Sequence, residues 1–271
     1  MNDNSEMTID FEKIVEAKAG KGRVPGFLIR LLKKAVHEDL INDYLSKGYT
    51  GVEFCRGCLD YLDIKVEVFG LENLDGMPEG TRFTFASNHP LGGIDGVTLG
   101  AVLGEKYDGK IKYLVNDVLM HLKGLAPLCV PINKFGGQAR ELPALLNEAF
   151  ASDLHIITFP AGKCSRKIDG RIQDVEWGKS FISKSVSNGR HIVPVHFIGE
   201  NSRRFYRVAT LCKKLGIKFN LAMMMLPDEM YRGRGKTFKL IFGKPIPPST
   251  FDRSRTPIEW AQWVREKAYD L

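Results

Sequence analysis

The stretch RFTFASNHPLGGIDGVTLGAVL, residues 82–103, changes its hydrophobic rhythm part-way along. Arg82 to Ala86 is a short β-rich run, whereas from Asp95 to Leu103 the apolar residues recur at helical spacing. A strand that passes into a helix is the repeating unit of an α/β sheet. Gly92 and Gly93 let the intervening loop fold back. The same junction carries Asn88, His89 and Asp95, at a point in the fold where α/β enzymes commonly place reactive groups.

Outward from this stretch the alternation continues. Further β-rich runs are Lys65 to Phe69, Ile111 to Val115, Leu128 to Ile132, Leu154 to Phe159, His191 to Ile198, Phe219 to Leu226 and Thr237 to Phe242. Helical periods fall between them at Gly137 to Ala151, Val175 to Val186 and Ser202 to Leu215, with a terminal helix near Pro257 to Tyr269. The pattern predicts an α/β fold: a mixed, largely parallel sheet flanked by helices, with an N-terminal helical extension. No internal repeat or low-complexity linker interrupts it, so residues 63–271 read as one domain and residues 1–62 as a tail with amphipathic helices.

In that extension, Phe27 to Leu45 has one apolar stripe at helical spacing, with Arg30, Lys33 and Lys34 off the stripe and Pro25 at its start. A second helix is expected near Tyr49 to Leu62. The first helix suits a lipid interface, cations toward anionic head groups, and equally suits packing on the core with a solvated basic face.

A net charge of +7 on 271 residues makes anionic partners plausible: phospholipid head groups, nucleic acid or acidic carriers of acyl chains. Met1 to Lys13 is polar and acidic without the charged-then-apolar order of a signal peptide, and no stretch approaches the roughly 20 apolar residues of a membrane span. The expected location is the cytoplasm, peripheral on the inner face of the membrane. Five scattered cysteines are unlike a secreted disulfide framework and are expected to be reduced.

His89 beside Asp95 suits general base work, because the carboxylate fixes the imidazole tautomer and stabilises the imidazolium formed when the ring takes a proton. The same pair also fits an ordinary capping or core interaction. A second run, Phe159-Pro160-Ala161-Gly162-Lys163-Cys164-Ser165-Arg166, again ends a strand, with Gly162 permitting close backbone approach and Lys163, Ser165 and Arg166 able to bind an anion. Cys129-Val130-Pro131-Ile132-Asn133-Lys134 and Ile192-Val193-Pro194-Val195 are further strand ends of the same kind.

Taken in order, Asn88-His89 with its downstream Asp95, then Phe159-Pro160-Ala161-Gly162, then Ile192-Val193-Pro194-Val195, resemble the glycerolipid and lysophospholipid acyltransferase family over roughly Val66 to Pro247. Asn-His-Pro-Leu-Gly-Gly-Ile-Asp-Gly is most similar to the hemolysin-like branch, which includes enzymes making ornithine and glycine amino-acid lipids. The resemblance implies that His89 is the general base that deprotonates the acceptor, that Asp95 orients it, and that Asn88, Asn133, Lys134, Pro160, Ala161, Gly162, Lys163, Ser165 and Arg166 bind substrate. It implies acyl-ACP or acyl-CoA as co-substrate, a lyso-lipid acceptor (an amino-acid lipid first, a lysophospholipid second), and neither a metal nor a bound cofactor. A base acting on an already activated thioester needs no covalent enzyme intermediate.

The chain departs from the general family pattern in having five residues between His and Asp where four are usual, and Ala161 where Phe-Pro-Glu-Gly has its Glu. Asn133 and Lys134 stand where an Arg is expected. The competing expectation is a non-catalytic lipid- or nucleic-acid-binding protein on the same fold; nucleic acid is not the expected partner, although Arg203, Arg204, Arg207, Lys213 and Lys214 form a basic segment. Gly178-Lys179-Ser180 and Gly235-Lys236-Thr237 echo a P-loop, but Gln173 and Met230 replace its first Gly. Cys55-Arg56-Gly57-Cys58 is a single CxxC without a second pair. Met223, Met224 and Met225 could line an acyl tunnel or fill an ordinary core strand.

Overall fold

Phe83–Ser87 is buried along its whole length, as a central strand covered on both faces must be. The computed structural model describes residues 8–13, 16, 24–115, 119–120, 122–131, 142–215 and 224–271. In chain order its strands are β1 (Lys65–Phe69), β2 (Phe83–Ser87), β3 (Ile111–Val115), β4 (Cys129–Pro131), β5 (His155–Thr158), β6 (Arg166–Ile168), β7 (Arg171–Gln173), β8 (His191–Ile198) and β9 (Thr237–Phe242). Seven of them form one sheet of order β1-β9-β8-β2-β5-β3-β4. The five from β8 to β4 run parallel. β1 and β9 pair parallel to each other and join the rest through an antiparallel β8–β9 ladder. The sheet is therefore mixed and largely parallel, as the alternation of elements predicts.

The helices are α1 (Gly26–Ala35), α2 (Glu38–Leu45), α3 (Gly51–Tyr61), α4 (Ile94–Lys106), α5 (Leu142–Ala151), α6 (Ser180–Ser187), α7 (Arg203–Lys214), α8 (Leu226–Arg232) and α9 (Pro257–Tyr269). Successive residues of a strand face opposite sides of a sheet, and β2 divides accordingly. Phe83 and Phe85 join the larger core with Phe54 and Leu59 of α3 and Leu99 and Leu103 of α4. Ala86 joins the smaller one with Phe181 of α6 and Trp260 and Val264 of α9. The larger core also takes in Tyr44 and Leu45, so apolar packing is continuous across residues 62 and 63.

Three expectations are corrected. The stripe from Phe27 to Leu45 is two helices, because His37 takes a left-handed conformation (φ 55°, ψ 46°) that ends one and starts the other. The end of the expected strand Phe219 to Leu226 opens α8 instead, with Pro227 in its first positions and Asp228 and Glu229 in its first turn, a combination that suits a helix N-terminus; residues 219–223 lie outside the described residues. The helix expected from Val175 begins only at Ser180, and the preceding segment places Trp177 fully buried in the smaller core.

A candidate active site at the end of the central strand

β2 ends at Ser87, and Asn88 then joins it to its neighbour: its side-chain amide donates to the Phe197 carbonyl at 3.0 Å and accepts from the Phe197 N–H at 2.7 Å. Both halves of the Asn88 amide are thereby engaged, and the next residue, His89, is delivered beyond the sheet edge. The chain turns back through Gly92, whose φ of 79° favours glycine, and a Cβ there would lie 2.3 Å from the Cys164 Sγ. The turn leads directly into α4, with Asp95 in the first turn of the helix.

Asp95 is completely buried, with one oxygen 3.1 Å from His89 Nδ1. The same Oδ2 accepts backbone N–H groups of Leu91 (2.9 Å) and Gly92 (3.2 Å), and Oδ1 accepts that of Gly96 (2.9 Å). A carboxylate saturated with N–H donors at a helix N-terminus is held ionised. Burial pushes the Asp95 pKa up, but His89 and these donors outweigh it and hold the pKa below the ordinary carboxylate value. For His89, burial pulls the pKa down, while Asp95, its hydrogen bond and the more remote Asp174 outweigh burial and Arg166, so it is held above the usual imidazole value. The ring stacks on Phe159, centroids 4.1 Å apart. With Nδ1 against the carboxylate, Nε2 is the nitrogen left to take a proton.

A family model described as an acyltransferase matches residues 13–271. The chain belongs to this acyltransferase family. Two proteins named lyso-glycine lipid O-acyltransferase are similar to it along its whole length: one from Phocaeicola vulgatus, 54% identical and 98% covered, and one from Bacteroides thetaiotaomicron, 55% identical and 100% covered. The 1-acyl-sn-glycerophosphate (LPA) acyltransferase PlsC from Thermotoga maritima, a solved structure, is similar over 96% of this chain and 88% of its own, at 16% identity and a TM-score of 0.47. Because the chain is an acyltransferase, the expectation of a non-catalytic binding protein is set aside.

In this acyltransferase the second sequence motif comes to the first. Phe159 lies under the His89 ring, and Pro160 and Ala161 follow in a tight turn closed by Gly162 N–H on the Phe159 carbonyl at 2.9 Å. Gly162 and Lys163 are exposed, and Arg166 is half-buried with its guanidinium on the carbonyls of Cys164 (2.7 Å) and Ser165 (3.1 Å) and above the Phe205 ring. Ser165, expected to face an anion, turns inward: it is 1% exposed and its hydroxyl donates to Asp174. Asn133 and Lys134 lie outside the described residues. Cys55 and Cys58 sit on the buried side of α3 as free thiols in the larger core, where burial pushes the Cys58 pKa up to about 12. Met225 packs beside Phe205 and Tyr206, not in a strand.

Asp174 is the buried group that sequence reading missed. A signal for it exists in Lys167-Ile168-Asp169-Gly170-Arg171-Ile172, an Asp-Gly pair between alternating residues, which marks a two-residue hairpin turn. Asp169 and Gly170 both have positive φ, and the hairpin pairs Arg166 with Gln173. One step beyond that pair, Asp174 faces Ser165.

Proposed function

We propose that this acyltransferase moves a fatty acyl group from a thioester carrier to the hydroxyl of a lyso-glycine lipid, with His89 as general base and Asp95 as its orienting carboxylate. The observation that carries the reading is the 3.1 Å contact of Nδ1 with a fully buried, N–H-saturated carboxylate, which leaves Nε2 as the proton acceptor. The acceptor class rests on the names borne by the two relatives of 54% and 55% identity.

In the reaction Nε2 takes the acceptor's O–H proton as its oxygen attacks the thioester carbonyl carbon. The C–S bond of the tetrahedral intermediate then breaks, and the departing thiolate takes the proton from the imidazolium, giving ester and thiol. Asp95 keeps the imidazolium favourable between the two transfers. Coenzyme A and acyl carrier protein offer the same reacting group, so either suits this chemistry as donor. The membrane surface is met by α1, which exposes Phe27 and Leu28 beside Arg30 and Lys34. Lys33 contributes less there, since it pairs with Asp10, Glu12 and Glu38 at 3.4 Å each.

The test is thiol release from acyl-ACP and acyl-CoA with lyso-glycine lipid or lysophospholipid, with the product identified by mass. Release that requires lyso-glycine lipid and falls about 10²–10⁴-fold in His89→Ala is the expected result. Equal turnover by His89→Ala would remove His89 from the mechanism, and turnover with lysophospholipid alone would overturn the acceptor.

A further inference from the structure

We propose that Asp174 is a positioning residue for the acyl-transfer reaction, clasping the backbone of His89 and the Ser165 loop into one rigid unit; this rests on the reading of His89 as the base. Asp174 is 1% exposed, and both of its carboxylate oxygens are filled by donors. Oδ1 accepts the Ser165 hydroxyl at 2.5 Å and the His89 N–H at 3.3 Å, and Oδ2 accepts the Trp177 indole N–H at 2.9 Å. Ser165 completes the ring by donating its own N–H to the His89 carbonyl at 2.8 Å. Both backbone polar groups of His89 are therefore held by the Asp174–Ser165 pair.

The clasp is itself anchored on the far side. The Asp174 N–H donates to the Tyr269 hydroxyl at 2.8 Å, and Arg265 donates to the Asp174 carbonyl at 2.9 Å, so the C-terminal helix α9 fixes its place. A buried carboxylate facing three neutral donors is expensive to keep unless it has work to do. Two constraints on the His89 ring come from Asp95 and Phe159, and Asp174 adds the third by fixing the backbone from which the ring projects. Such supporting contacts hold a reacting nitrogen within the narrow tolerance that proton transfer demands.

The charged and titratable groups around the clasp are His89 from the end of β2, Asp95 from α4, Arg166 from β6, and Arg265 and Tyr269 from α9. Burial raises the Asp174 pKa against the pull of Ser165, Trp177 and His89, and where the carboxyl is ionised Asp174→Asn removes a negative charge from this set while keeping side-chain size. The imidazolium then loses support, so the base form of His89 persists to lower pH.

The experiment compares wild type, Asp174→Asn and Ser165→Ala, with His89→Ala as reference. Measured are kcat and KM for thiol release, the pH–rate profile, and the His89 titration by NMR, which needs no substrate. For Asp174→Asn the expected result is a kcat lowered roughly 10- to 100-fold, a part of the ~10²–10⁴-fold a positioned base supplies, with KM within about twofold. The His89 titration and the acid limb both move to lower pH. Ser165→Ala, which removes one arm of the clasp and leaves the carboxylate, should lower kcat several-fold at unchanged KM, and it carries the test if Asp174→Asn does not fold. Folded variants with wild-type kcat and an unmoved His89 titration overturn the clasp. If His89→Ala is also fully active, the failure lies with the base itself.

Discussion

At the scale of single residues, the proposed chemistry depends on opposing pulls on one imidazole. Burial favours neutral His89 and Asp95 favours the cation, and the balance leaves the His89 pKa above 6.5 and that of Asp95 below 3.8. For stability, the raised His89 pKa contributes fully below about pH 6.5 and is lost as pH climbs through the folded value. The depressed Asp95 pKa contributes above about pH 3.8 and is lost as pH falls through its folded value. The proposed base catalysis needs the neutral ring and runs the other way. The transfer rate should rise with pH and level off only above the ordinary imidazole range, where the pair's stabilisation is already declining. A pH–rate profile beside melting temperatures over the same range checks this, and a rate already level at pH 6 would contradict it. His89 and Asp95 were legible in the sequence because their spacing spans one strand-to-helix turn. Asp174 was not: the hairpin signal sets it opposite Ser165, but it stands 85 positions from His89, and only the packing of the Ser165 loop on the end of β2 brings the two together.

At the scale of elements, the sheet is tied at the end opposite the site by Arg190, which precedes β8 and is completely buried. Its guanidinium donates to the carbonyls of Phe150 (2.7 Å), Leu154 (2.8 Å), Phe83 (3.3 Å) and Ala149 (3.4 Å), and to that of Ser152. These include carbonyls at the C-terminus of α5, where backbone acceptors are left over and a cation is favourable. Burial pulls the Arg190 pKa to about 10, still well above neutral, so it stays charged. Arg190→Met keeps the apolar stem but removes a donor from each of these acceptors, of which Ala149 and Ser152 keep one from Ser152 Oγ and Arg82. It should destabilise the fold by about 3 kcal/mol or more, because each buried unsatisfied group costs ~1–3 kcal/mol. A urea midpoint shifted to lower concentration, with acyl transfer unchanged in the folded fraction, is the expected outcome; an unmoved midpoint would show these bonds to be dispensable. The elements themselves were legible wherever periodicity and end signals agreed, as at α9, where Thr256 and Glu259 close a capping box before Pro257–Tyr269. Periodicity alone sufficed for α7 but misread the continuous stripe that His37 breaks.

At the scale of the whole molecule, the N-terminal helices belong partly to the core and partly to the surface. Tyr44 and Leu45 are buried while Phe27 is 64% exposed, so removing residues 1–45 would open the core as well as remove the outer face. The sharper test is Phe27→Glu with Leu28→Glu, which leaves the core intact. Binding to vesicles containing anionic lipid should fall at least tenfold in a flotation assay, with an unchanged melting temperature; equal binding would overturn the proposed contact through α1. Among the described residues no helix is long and apolar enough to cross a membrane. By itself, the sequence determined the alternation of strand and helix, hence the α/β layers, and it placed His89 and Asp95 at one turn, because both are local consequences of spacing along the chain. Only the tertiary structure decided that β9 runs against β8, that the Ser165 hydroxyl faces inward and that Asp174 holds His89. Those facts depend on strand partners and burial far apart in sequence, which local spacing does not encode.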